Sequence, residues 1–292
     1  MAYSLLYMSQ VIRNKLNFLR RELGMKNKLI ALAMMTALSA SANASVITLD
    51  TTGFGGSTTF DFDLIQFLSE TGANSASVTQ TDTSGDGSIA GPDAFMEMGG
   101  TSVLSFNLDG SLAQFGQGVD GWNIFFDYQV GGMANQDVTG DLQVNFDTLI
   151  SGSLYAVDTS TNINYGLATF SLLGGDCDID ADVDGTGSVF VEAASSCHLD
   201  LTGVFEDGYF TDSTGLDLGQ YDDLGKTLGV SYDATVTAIN GLKAVYPGGP
   251  GSSQTFSVEH TASMEINVPE PTTVAILGLG LLGFAGARRR KS

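Results

Sequence analysis

The sequence predicts an all-β domain over residues 45–268, a β-sandwich or jelly roll, on three observations. Apolar and polar residues alternate in short runs, glycine-rich pairs punctuate those runs, and no helical period appears before residue 272. The first run sets Phe60, Phe62 and Leu64 against Asp61 and Asp63, placing three apolar side chains on one face of a strand. The next sets Trp122, Ile124, Phe126, Tyr128 and Val130 against Asn123, Asp127 and Gln129. Leu142, Val144 and Phe146 alternate with Gln143, Asn145 and Asp147, and Leu228, Val230, Tyr232, Ala234 and Val236 repeat the scheme. Gly131-Gly132, Ser151-Gly152 and Gly174-Gly175 read as turns between strands. Asn240-Gly241 reads as a two-residue hairpin turn joining 235–239 to 242–246, and 247–251 as a glycine- and proline-rich loop. No linker divides the region, so one domain is expected.

The two flanks have a different character. Lys26 and Lys28 precede a mostly apolar stretch at 29–38, and Ala42-Asn43-Ala44 then gives the small-x-small pattern of a signal-peptidase site, with cleavage after Ala44. Residues 25–44 therefore read as a signal peptide starting at Met25, and 1–24 as an upstream extension or a long n-region. At the other flank, Val268, Pro269, Glu270 and Pro271 precede an apolar run at 274–287 and then Arg288, Arg289, Arg290 and Lys291. Fourteen helical residues span roughly 21 Å, short of a hydrocarbon core of about 30 Å. Thr272 and Thr273 extend the helix, snorkelling basic stems and a thinned bilayer cover the rest, and a short transmembrane helix results. The basic flank holds its end in the cytoplasm, leaving everything before Pro269 outside. Gly278-x-Gly280-x-x-Gly283 has the spacing of a dinucleotide loop but lacks the preceding strand that such a loop needs.

The layout of residues 268–292 resembles the PEP-CTERM sorting signal of Gram-negative bacteria. The resemblance implies an exosortase acting near Pro269-Glu270-Pro271, a transient inner-membrane anchor, and delivery to the cell surface or extracellular matrix. It also implies an association with exopolysaccharide-producing, biofilm-forming bacteria. It covers only the flanks and implies no activity for the domain between them.

Charge restricts what that domain touches. Of the 12 Lys and Arg, six precede residue 45 and four follow residue 287, leaving Lys226 and Lys243. Of the 33 Asp and Glu, all but Glu22 and Glu270 lie within 45–268. Nucleic acid is thereby excluded as a partner, because phosphates need cationic side chains. An anionic exopolysaccharide is reachable only through a bridging cation. A dispersed negative surface serves solubility as well.

Two acidic loops are candidate calcium sites. Asp180, Asp182, Asp184 and Gly185 match the first ligand positions and the turn glycine of an EF-hand-type loop, although position twelve is Val191. Asp82, Ser84, Asp86 and Gly87 do the same with Asp93 at position twelve. Ordinary solvated turns also favour Asp and Gly, so both readings stand. Cys177 and Cys197, in a segment bound for an oxidising compartment, are expected to form a disulfide whose midpoint puts a turn near 184–187. A metal or redox role for the pair is the weaker alternative. His198 and His260 are the only histidines before the tail, no Gly-x-Ser-x-Gly is present, and Trp122 reads as core before it reads as a sugar platform. The expected function is that of a non-enzymatic surface or matrix protein. The alternative is a carbohydrate-active enzyme or a carbohydrate-binding module.

Overall fold

The computed structural model describes residues 46–69, 75–119, 121–137 and 140–268. The expected signal peptide with Ala42 and Ala44, together with Pro269, Glu270, Pro271, the apolar run and Arg288, Arg289 and Arg290, lies outside the described residues. Val268 is described, and packs partly buried against the core.

The chain forms β1 (Ile47–Asp50), a 3-10 turn (Thr51–Phe54), β2 (Thr59–Phe62), β3 (Leu64–Phe67), β4 (Ala76–Thr81), β5 (Asp93–Leu108), β6 (Ser111–Phe115) and β7 (Gln117–Val119). Long strands follow: β8 (Trp122–Gln136), β9 (Leu142–Asp158) and β10 (Asn164–Ile179). A small hairpin, β11 (Ala181–Val183) and β12 (Val189–Val191), leads to β13 (Ser195–Phe205) and β14 (Phe210–Asp212). One helical turn (Gln220–Asp223) precedes β15 (Leu228–Asn240) and β16 (Ser253–Asn267).

Strands β5, β8, β9, β10, β13, β15 and β16 lie side by side, each antiparallel to the next. Between β16 and β5, β3 and β4 run end to end, each pairing with both neighbours. The sheet therefore closes into an eight-position, up-and-down barrel, with the short β6 and β7 each paired on one side, to β5 and β8. The all-β class holds, but the expected sandwich or jelly roll is corrected to a barrel.

Glycine pairs account for the difference. Gly131-Gly132, Ser151-Gly152 and Gly174-Gly175 lie inside strands of 15 to 17 residues, at or beside register shifts, and not in turns between short strands. A bulge bends and coils a strand without ending it, which is what wrapping a sheet into a cylinder requires. Gly132 shows why glycine is needed there, since a Cβ would fall on the Asn145 carbonyl of β9.

Two further expectations are corrected. Residues 60–64 are not one strand, because Asp63 is the corner where the chain leaves a three-stranded sheet (β14, β1, β2) for the barrel. Its N–H donates to the Asn107 carbonyl (2.9 Å), and the buried series passes from Phe62 to Ile65. Asn240-Gly241 does not close a hairpin onto 242–246 either. The β15 edge that such a turn would use is taken by β16, with Asn240 opposite Ser257. The two-residue turn lies at Asp109-Gly110, both with positive φ, between β5 and β6.

On the inward faces of β8 and β15 the alternation is regular. On β8, Trp122, Ile124, Phe126, Tyr128 and Val130 are buried, and on β15 Leu228, Val230, Tyr232, Ala234 and Val236. The outer positions of β16 are Ser257, Glu259, Thr261, Ser263 and Glu265, and β10 and β13 add Thr169, Ser171, Asp178, Ser196 and Asp200. Exposed apolar side chains also occur on the outside, Met98 and Leu104 on β5, Ile150 on β9, Leu173 on β10 and Val204 on β13.

Each end of the barrel is stoppered. At one end Phe54, Phe62 and Phe210 meet Phe106, Trp122 and Phe205, with ring centroids 5.5 Å apart for Phe54–Trp122, 5.0 Å for Phe62–Phe106 and 5.3 Å for Phe205–Phe210. At the other end three connections are sewn together. Val189 N–H donates to the Leu242 carbonyl (3.0 Å), Ile89 N–H to Ala244 (3.1 Å) and Tyr246 N–H to Gly87 (3.0 Å).

Candidate functional site

Between the two stoppers the barrel is not fully packed. A cavity lies among side chains of β4, β5, β8, β9, β10, β13, β15 and β16. The centre of a water molecule can occupy about 80 Å³ of it, several times the ~10–15 Å³ that holds one water. Eight strands give an interior just wide enough for side chains to fill or for one small ligand. Here the walls fall short of filling it.

Most of the lining is apolar, including Val130, Phe146, Leu199, Ala234 and Val258. Five polar side chains interrupt it: Gln80, Glu97, Tyr128, Tyr232 and His260. The Tyr128 hydroxyl donates to Glu97 Oε1 at 2.8 Å and lies 3.2 Å from His260 Nε2, while the Tyr232 hydroxyl is 3.5 Å from the same nitrogen. With the Tyr128 proton directed at Glu97, the geometry assigns the proton between His260 and Tyr128 to Nε2. Burial pushes the His260 pKa down, against the pull of Glu97. Gln80 is 3% exposed, and no hydrogen bond joins its amide to a described residue.

Sequence reasoning gave His260 no role and passed over Gln80 and Glu97; His260 lies in β16. The signal was there, since Val258, His260, Met264 and Ile266 share the inward face of β16. Trp122, 0% exposed at the first inward position of β8, is core as expected.

Cys177 and Cys197 are bonded across β10 and β13, directly paired with Cα atoms 4.1 Å apart. Between them the hairpin of β11 and β12 turns at Asp184–Gly187, where Gly187 N–H donates to the Asp184 carbonyl (2.9 Å). Both sulfurs face inward and line the cavity. His198, the next residue after Cys197, faces outward. Its Nδ1 is 2.7 Å from Asp233 Oδ1 and its Nε2 3.0 Å from Asp200 Oδ1.

The acidic loops are used differently from one another. Asp82, 3% exposed, accepts from Ser84 Oγ (2.9 Å) and Gly85 N–H (2.6 Å) on Oδ1, and from Gly87 and Gly251 N–H (2.9 Å each) on Oδ2. Burial pushes its carboxyl up, but Gly251, Gly85, Ser84 and Gly87 together outweigh this and hold it below the usual carboxylate range. Asp93, 0% exposed, accepts from Thr83 and Ser84 N–H and from the Tyr246 hydroxyl (2.8 Å). Asp86 caps Ser88 (2.7 Å). Asp82 and Asp93 thus organise the stopper, tying 82–93 to 246–251. Asp180, Asp182 and Asp184 are spread along the second loop and do not converge: Asp182 caps Val183 N–H (2.7 Å), and Asp184 caps Thr186 (2.8 Å) and Ser188 (2.9 Å). Among the described residues, no group of three or more His, Cys, Asp or Glu is gathered as a metal site.

The two histidines are expected to give a stability optimum near pH 6.5. The Asp233 hydrogen bond, partly offset by burial and reinforced by Asp200, holds His198 above 6.5 when folded, so its contribution is complete below 6.5 and fades as pH rises through the folded value. His260, held below 6.5, resists protonation that the unfolded chain accepts, so stability falls as pH drops from 6.5. Thermal unfolding between pH 5 and 8 is expected to show the maximum. His198→Gln flattens its alkaline side and His260→Gln its acid side; an unchanged profile in both variants would contradict these assignments.

No curated protein matches the chain, and no solved structure does. Residues 267–291 match the family described as the PEP-CTERM protein-sorting motif. The chain therefore carries the PEP-CTERM protein-sorting motif, the mark of an exported, membrane-transiting protein that an exosortase processes for the cell surface.

Proposed function

We propose that the exported part is a non-enzymatic binding domain of the cell surface or extracellular matrix. The observation that carries this reading is the pairing of a sorting motif with a stoppered barrel whose outer face is acidic and rich in hydroxyls. A glycoside hydrolase needs two carboxyl groups flanking the scissile bond. Among the cavity-lining residues Glu97 is the sole carboxylate, which favours binding over turnover. Contact with anionic exopolysaccharide, in this reading, uses calcium held between exposed outer carboxylates and the polymer. Asp82 and Asp93 are already engaged by donors inside the stopper.

Processing supplies the test. Replacing Pro269, Glu270 and Pro271 together by alanine is expected to leave the full-length chain in the membrane fraction, while the parent chain reaches the surface fraction shortened by its tail. Equal processing of both would remove the reading. Retention of the processed protein on the host's own exopolysaccharide with calcium, lost on chelation and without polymer cleavage, is the result expected for the matrix role.

A further inference from the structure

We propose that the barrel lumen is a binding site for one small, uncharged, mainly apolar molecule bearing a hydroxyl or amide head group. Size, lining and an unmet polar group point the same way. The unfilled space is far larger than one water, and its walls are aliphatic and aromatic over most of their extent. Small-ligand sites have this composition, an apolar body with a few placed polar groups that orient the guest. Gln80 is the decisive residue. Gln80 lines the cavity, and its amide, which makes no hydrogen bond to a described residue, reaches open lumen space where a guest can bond it. Gln254, its neighbour across β16, shows the contrast. Its amide is engaged at both ends, accepting from Lys243 N–H (3.0 Å) and donating to the Lys243 carbonyl (3.0 Å).

The head-group chemistry follows from the neighbours of Gln80. In the ladder between β4 and β5, Gln80 stands opposite Phe95 and Val78 opposite Glu97, so Gln80 and Glu97 are diagonal neighbours facing the same lumen. No lysine or arginine lines the cavity. An anionic head would meet Glu97 with no cation to balance it, and would lose its hydration as well. A hydroxyl or amide can donate toward Glu97 and bond the Gln80 amide without bringing in charge.

Naphthalene, 2-naphthol and 2-naphthoate share one ring system and differ only in head group, so they separate the contributions. With the processed protein recovered from producing cells, calorimetric titration at pH 7 is expected to give saturable one-to-one binding of 2-naphthol. Binding of 2-naphthoate is expected to be at least tenfold weaker. Gln80→Leu should weaken 2-naphthol about five- to tenfold, the scale of one hydrogen bond, and leave naphthalene unchanged. Ala234→Phe fills the lumen and should abolish binding of all three while the melting temperature stays level or rises; Ala134→Leu serves the same purpose if that variant does not fold. Absence of saturable 2-naphthol binding, naphthoate binding as tight as naphthol, or undiminished binding in a folded lumen-filled variant would each overturn the proposal. A failure of the processed protein to be retained on exopolysaccharide would leave these results untouched, so the two readings fail separately.

Discussion

Trp122→Ala is expected to destabilise the barrel by about 4 kcal/mol, the scale for removing a large buried aromatic from a core. For a domain of this size that lowers the melting temperature by roughly 8–16 °C. The indole is fully buried at the start of β8 and meets Phe54 edge-on at 5.5 Å, at the centre of the aromatic stopper. Its Nε1–H finds no acceptor among the described residues. Trp122→Phe therefore keeps much of the volume while removing an unsatisfied donor, and should cost less than half as much as the alanine variant. Denaturant unfolding of both variants checks the ratio. A sugar platform would behave oppositely: the alanine variant would keep its stability and lose a carbohydrate ligand.

Loss of the disulfide is expected to cost about 3 kcal/mol, from the chain entropy released when the loop between Cys177 and Cys197 opens. Cys177→Ala with Cys197→Ala should therefore melt roughly 6–12 °C below the parent. The bond crosses two neighbouring barrel strands, so it fixes the register of β10 against β13 where the bulge at Leu172–Gly174 has already shifted it once. Both sulfurs line the cavity, and the double alanine variant enlarges it. Unfolding curves of the variant and of the reduced parent should coincide; a variant as stable as the oxidised parent would show that the strand ladder alone sets this register.

The inward series on β8 and β15 was legible because alternation is local: each residue's face follows from the residue before it. The same holds for the cysteine pairing, whose midpoint anticipated the turn at Asp184–Gly187. Glycine pairs were the misleading signal. A pair such as Gly131-Gly132 looks alike in a turn and in a bulge, and only the partner strand decides. The Asn145 carbonyl pressing on Gly132 is contributed by a strand that begins ten residues later. Asn240-Gly241 failed for a related reason, since the β16 partner that occupies the hairpin's place arrives only after the stopper segment 241–252. The acidic loops could not be resolved by spacing, because Asp82 is satisfied by Gly251, 169 positions away.

Destination, strand class and charge were determined by the sequence alone, because a sorting motif is read as a linear string, alternation is a property of neighbours along the chain, and charge is a sum. Closure into a barrel, the unfilled lumen, and the meeting of Gln80, Glu97, Tyr128, Tyr232 and His260 were decided only by the tertiary structure. Those five side chains come from five different strands, and what brings them together is hydrogen-bond register between segments remote in sequence, in which a single-residue slip would send each side chain to the opposite face.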